Sequence, residues 1–213
     1  MRELLNTDEY KFVVKTFKET DFTDREVYAH WLAQTYYFVC HSTRLSALAS
    51  ARLPVDDPVG RRMFTHTLEE KGHHMLALKD LEALGKDIKD YPPYGVTNAF
   101  YQAQYYKVLF EEPHFLFGQI FMLESLGADC CYWQYEIVRD KFGEKTGQFA
   151  KVHGTEDVNH VKKALEVINS LSPEMKSGIR TNFMQACELY YYILQSARGG
   201  GYSRLCHGFK KAA

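Results

Sequence analysis

The sequence predicts an all-α protein, a bundle of six or seven helices, and three observations carry that prediction. Apolar residues recur at helical spacing over long runs. No window alternates apolar and polar residues between turn signals, so no sheet is read. Start and stop residues are spaced so that several helices reach about 25 residues or more.

The elements follow in order. Thr23-Asp24-Arg25-Glu26 reads as a capping box, with Thr23 as N-cap and Glu26 reaching back to its backbone N–H. The first helix then runs to about Leu53, where Pro54 stops it. Asp57-Pro58 opens a second, with proline at the first helical position, and it continues to Gly85, a left-handed terminator. After the PPYG loop, Thr97 caps a third helix of about a dozen residues. A fourth extends from Pro113 to about Phe142 and is closed by Gly143. A fifth covers residues 144–171, and Ser172-Pro173 opens a sixth that reaches Arg198. Residues 1–198 are therefore expected to form one helical metal-binding domain. Residues 199–213, rich in glycine and ending basic, are expected to form a flexible tail in which His207 is a weak ligand candidate.

Composition narrows the class. A chain of 213 residues suits one domain and can bury a core without disulfides. The aromatic share of 15% is high and suits thick helices around a lined interior. A net charge of −1 supplies no global field to attract nucleic acid or an anionic membrane, and neither is expected as a partner. Cys40, Cys130, Cys131, Cys187 and Cys206 are odd in number and contain no CxxC pair, so neither a disulfide framework nor a thiolate zinc site is read. The N-terminus lacks the apolar core of a signal peptide and no stretch is apolar enough to span a bilayer, which makes the cytoplasm the expected compartment.

Three places can carry chemistry. In Glu69-Glu70-Lys71-Gly72-His73-His74, helical steps of about 100° put either Glu70 or Glu69 on one face with His73. Alone, that pattern is common on charged surface helices. Gly72 stands out, because a glycine inside a helix costs about 1 kcal/mol relative to alanine. Glu124 contradicts its surroundings: Phe117, Ile120, Phe121, Ala128 and Cys131 flank it at helical offsets. A carboxylate within an apolar stripe must be protonated, paired with a cation such as arginine, or bound to metal. His153, Asp157 and His160 share one face at i, i+4, i+7, and imidazole with carboxylate suits iron, manganese or zinc.

Three helices thus offer three histidines and three carboxylates, enough for two metal ions with Glu124 as a natural bridge. The set holds no thiolate, which argues against structural zinc and iron–sulfur clusters. Carboxylate-rich sites favour iron or manganese and oxygen chemistry.

The order carboxylate-x-x-His, lone buried Glu, then His-x-x-x-Asp-x-x-His resembles the haem-oxygenase-like di-iron oxidases and oxygenases. The tyrosine-rich stretch YAHWLAQTYYFVCHSTRLSALASARLP is similar to that family's first core helix, and the likeness covers roughly residues 25–195. The resemblance implies a haem-oxygenase-like bundle. It makes Glu70, His73, Glu124, His153, Asp157 and His160 the ligands, with Glu69 the alternative to Glu70 and with His66 and His74 as flanking groups. The implied cofactor is two iron ions, with manganese admissible at one position. Ferritin-like proteins carry a Glu-x-x-His pair in each half, and this chain has one. Haem oxygenase needs an axial histidine near the N-terminus, and no histidine precedes His30.

The function so implied is a non-haem di-iron oxidase or oxygenase that activates dioxygen against a small organic substrate: an amino acid, an amine or a fatty acid. An electron donor and a homodimer are both compatible with it. Tyr36, Tyr37, Tyr132 and Tyr135 are candidates for the cavity wall, although core packing is the commoner role of such residues. Two alternatives stay open. One is a metal-free thiaminase-like hydrolase or transferase on the same fold, with Cys130 or Cys131 as nucleophile; the other is a non-catalytic helical binding protein.

Overall fold

A computed structural model describes residues 1–200, and the part of the expected tail from residue 201 onward, with His207, lies outside the described residues. The described chain is helical from end to end, with no strand. An N-terminal helix α1 (Asp8–Lys18), which the sequence reading did not assign, is capped by Thr7, whose side chain accepts the Tyr10 N–H. Then come α2 (Arg25–Val39) and α3 (Ser42–Arg52), where one continuous helix was expected. The N-cap of α2 is Asp24, not Thr23: its carboxylate accepts the N–H groups of Glu26 and Val27. Asp57 caps α4 (Pro58–Glu69) with proline in the first turn, as expected. Helix α4 does not continue to Gly85. It breaks at Gly72, at a φ of 92°, and restarts as α5 (His73–Ala83). The glycine is therefore not inside a helix but makes a left-handed turn that other residues adopt at a cost.

Tyr94, not Thr97, is the N-cap of α6 (Gly95–Phe110); Thr97 is buried and its hydroxyl donates to Gln34. The expected fourth helix is α7 (Leu116–Leu126) and α8 (Tyr132–Phe142), joined through a π-helical turn at Gly127–Cys131. Such turns insert one extra residue into a helix and re-aim the side chains around it. Helices α9 (Gln148–Asn169) and α10 (Pro173–Arg198) complete the bundle near the expected ends. Joined across their breaks, the ten segments make seven helical units.

Helix α10 packs against α1, α2, α6 and α7, and α9 against α4, α5, α7, α8 and the π turn. Their interior is filled by rings. Phe17, Phe22, Tyr28 and Trp31 pack on one another, and Trp31 meets Phe149 edge-on at 5.9 Å. Each fully buried ring contributes roughly 1.5–3 kcal/mol through lost water contact. No helix among the described residues is long and apolar enough to cross a membrane.

Candidate metal centre

Four helices deliver the polar groups that the sequence singled out to one interior region. Helix α4 supplies Arg62, His66, Glu69 and its C-cap Glu70. His73 opens α5, Glu124 comes from α7, and His153, Asp157 and His160 come from α9. The pairing of Glu70 with His73 arises differently from the expected shared helix face. The two meet across the Gly72 turn, with His73 Nδ1 at 3.3 Å from Glu70 Oε2.

Two groups form, and they share Glu70. Ligating atoms of Glu70, His73 and His153 lie within 4.8 Å of one another, and so do those of His66, Glu70 and His160. The rings meet in pairs, His73 on His153 at 5.0 Å and His66 on His160 at 5.8 Å, both near perpendicular. Glu124 Oε1 stands 3.5 Å from His66 Nδ1 and 3.7 Å from His160 Nδ1. Asp157 Oδ1 stands 3.3 Å from His160 Nδ1. These separations exceed those of well-made hydrogen bonds. They match a different geometry: two donors bound to one cation at about 2.1 Å stand roughly 3.0 Å apart at a right angle and about 4.2 Å apart across it.

Hydrogen-bond accounting supports a cation. Of ten buried side-chain polar atoms without a partner among the described residues, five able to ligate a cation belong here: His66 Nδ1, His73 Nδ1, His160 Nδ1 and both Glu124 oxygens. Each such atom costs about 1–3 kcal/mol when left unpaired, so a cluster of them calls for a ligand. Their chemistry, imidazole nitrogen and carboxylate oxygen, fits iron. His153 is oriented for that role. Its Nδ1–H donates to the Phe149 carbonyl at 2.8 Å, which leaves the Nε2 lone pair free.

Charge balance points the same way. Four carboxylates (Glu69, Glu70, Glu124 and Asp157) face two side-chain cations: Arg62 and Lys163 both reach Glu69, at 2.8 and 2.9 Å, and Arg62 also stands 3.8 Å from Glu124. That double pairing engages Glu69, whose Oε2 also stands 3.6 Å from His160 Nε2, while Glu70 is the carboxylate common to both groups. Burial pushes Glu124 up to about 8 and, aided by Glu70, lifts Asp157 well above its ordinary range. Glu70 goes the other way: burial opposes its charge, but His73, His66 and His153 outweigh it and bring it down to about 2. Burial keeps His153 neutral, at about 4, and lowers His160. Neutral imidazoles can ligate a metal directly, and buried protonated acids would release their protons on binding one.

Two supports lie behind the ligating groups. Gly127, in the π turn, makes room for Asp157: a Cβ there would overlap Oδ2 and lie 3.0 Å from Cγ. Asp80, buried on α5, accepts the N–H groups of Gln148 and Phe149 at 3.0 and 2.8 Å. It thereby caps α9, which has no side-chain cap of its own, and ties the His73 helix to the helix of His153, Asp157 and His160.

Of the expected residues, the structure brings Glu70, His73, Glu124, His153, Asp157 and His160 together. His74 stays apart, beside Tyr36. His66, which the sequence reading placed among the flanking groups, falls in one group with Glu70 and His160. The signal was available, since His66, Glu70 and His73 repeat the i, i+4, i+7 spacing of His153, Asp157 and His160.

A cavity of about 90 Å³ opens onto His66, Glu70, Glu124, His153 and Asp157. Its other walls include Phe17, Trp31, Phe38, Leu45, Phe100 and Phe149. Tyr101 and Tyr190 line it, whereas the expected Tyr36, Tyr37, Tyr132 and Tyr135 do not.

Comparison with known proteins fits this architecture. The chain superposes with a TM-score of 0.73 on a domain with a haem-oxygenase-like fold from Shewanella denitrificans OS217, at 18% identity over 92% of this chain and 86% of that one. A TenA homologue from Pseudomonas syringae pv. tomato DC3000 gives 0.74 at 14% identity, covering 92% and 91%. A TenA homologue from P. horikoshii OT3 also gives 0.74, at 15% identity, covering 94% and 98%. These likenesses establish the fold, haem-oxygenase-like as the sequence predicts. No curated protein matches the sequence. Residues 29–191 match the iron-containing redox enzymes, and the chain belongs to that family.

Proposed function

We propose that the chain is a non-haem di-iron oxidase or oxygenase that uses dioxygen to modify a small organic substrate. The observation that carries this reading is the pair of carboxylate–imidazole groups sharing Glu70, with unpartnered Nδ1 atoms on His66, His73 and His160, beside a cavity. Glu70, His73 and His153 would hold one ion; Glu124, Asp157 and His160 would hold the other. When bound, iron supplies the electrons and the open positions that dioxygen chemistry needs.

The chain's own groups do the rest. Phe149 stacks on the His153 ring at 4.0 Å and its carbonyl fixes the tautomer. Arg62 and Lys163 hold Glu69 to one side. Glu124 and Asp157 give up their protons when a cation arrives. The apolar walls keep water out, which strengthens every electrostatic contact inside.

The cavity also bears on substrate. Among the described residues its wall contains no lysine or arginine, so a charged group placed away from the acid–imidazole end would be left unpaired. An apolar body with one polar group directed to that end fits best. The hydroxyl of Thr35, buried in the wall without a partner, is available to one hydrogen bond.

A second reading is supported by the TenA homologues among the structural neighbours: a metal-free, thiaminase-like activity with Cys131, which lines the cavity, as nucleophile. Burial and the nearby Asp157 push the Cys131 thiol well up, which keeps it in the unreactive protonated form. Metal content separates the two. Protein made in iron-supplemented medium should carry iron and, after anaerobic Fe(II) loading, show a transient visible absorbance on exposure to air. Less than about half an equivalent of metal with unchanged activity would overturn the di-iron reading.

A further inference from the structure

Helices α4 and α5 carry His66-x-x-x-Glu70-x-x-His73, and α9 carries His153-x-x-x-Asp157-x-x-His160. The two runs have the same spacing and the same order of residue types. They face each other in reverse, His66 against His160 and His73 against His153. In each run the acid lies 3.3 Å from Nδ1 of the histidine three residues later. The site is therefore a pseudo-twofold arrangement of two matching runs, with Glu124 added from α7 on the His66–His160 side.

From this symmetry we propose that His66 is a direct ligand of the second metal position, so that each position receives two imidazoles. The inference rests on the di-iron reading and extends it by one residue. His66 is buried, its Nδ1 has no hydrogen-bond partner, and its ligating atom falls in one group with those of Glu70 and His160. Regular helix fixes it one turn before Glu70, whose N–H donates to the His66 carbonyl at 2.9 Å.

The competing role is that of an ion-pair partner for Glu69 or Glu124. Nδ1 stands 3.9 Å from Glu69 and 3.5 Å from Glu124, too far for a well-made hydrogen bond to either. Glu69 is already paired with Arg62 and Lys163. A position held by two imidazoles and a carboxylate also prefers iron to manganese, which is better served by oxygen donors.

The test uses the full chain, stripped of metal and titrated anaerobically with Fe(II) and, in parallel, Co(II), whose visible bands report its ligands. Wild type should take up two equivalents. His66→Ala and His66→Gln should keep one and bind the second ten-fold or more weakly, with altered Co(II) bands. Imidazole added to His66→Gly should restore the second equivalent, which a merely structural histidine would not produce. If the variants fail to fold by circular dichroism, cadmium-loaded wild type answers instead: ¹¹³Cd coupling to the His66 ring protons is expected. Two equivalents at wild-type affinity in both His66→Ala and His66→Gln, or cadmium bound without that coupling, overturns the assignment. A wild type that binds no metal overturns the di-iron reading itself.

Discussion

Gly127→Ala should weaken metal binding while leaving the fold intact, although the glycine ligates nothing. Its Cβ would lie 3.0 Å from Asp157 Cγ and overlap Oδ2, while Asp157 Cβ, at 3.5 Å, needs no change. Carbon atoms in ordinary contact stand about 3.5–4.0 Å apart, so the carboxyl group must swing away by roughly 0.5–1 Å at Cγ and by more at its oxygens. That motion breaks the 3.3 Å approach of Oδ1 to His160 Nδ1. Ligands must be held within about 0.5 Å of their working positions, and losing one carboxylate is expected to cost ten-fold or more in metal affinity. The backbone effect is small and of opposite sign, since alanine is favoured over glycine in a helix by at most about 1 kcal/mol. Competition against a chromophoric chelator measures the affinity, and thermal melting of the metal-free chain monitors the fold. Gly95→Ala, whose Cβ would meet nothing within 4 Å, is the control. Wild-type affinity in Gly127→Ala would refute the placement of Asp157 in the site.

Other expectations follow from the same geometry. His153→Ala and His160→Ala should each fall short of two bound irons, as elemental analysis of loaded protein can determine; two irons in both variants would remove the ligand assignment. Asp80→Ala leaves the N–H groups of Gln148 and Phe149 without their acceptor and should cost about 2–4 kcal/mol in chemical denaturation, with Asp80→Asn milder. The metal-free chain should lose about 1 kcal/mol of stability between pH 7 and 8.5. Glu124 titrates near 8 in the fold against about 4.3 unfolded, so over this range the folded state holds a proton that the unfolded state has released, and stability falls as pH rises. Asp157 and His73, both raised, act in the same direction, whereas His153 and His160, both lowered, act only below about 6.5. Metal uptake should strengthen over the same pH range, because binding releases those protons; denaturation and binding measured at both pH values check the two signs.

How much was legible in the sequence depended on whether the information was local. His153, Asp157 and His160 stand on one unbroken helix, so their spacing alone placed them together. Glu124 was found because an acid among Phe117, Ile120 and Phe121 has to be explained. The choice between Glu69 and Glu70 was not local. Arg62 bears on it, and so does Lys163, ninety-four residues away from Glu69 in the chain. The break at Gly72 was hidden because the periodic pattern runs through it, and the glycine's positive φ is visible only in three dimensions. The π turn carries no propensity signal, so the fit of Gly127 against Asp157 could not be read in advance. His66 was placed among the flanking groups, although its spacing to Glu70 and His73 equals that of His153 to Asp157 and His160.

The central claim is that this family member builds a two-metal site from Glu70, His73, Glu124, His153, Asp157 and His160. Anaerobic titration of the metal-free full chain with Fe(II), followed by rapid mixing with oxygenated buffer, tests it most directly. The account predicts saturation at two equivalents and a transient visible absorbance that forms only when both positions are filled. Saturation at or near zero equivalents, with no absorbance change on mixing, would contradict it.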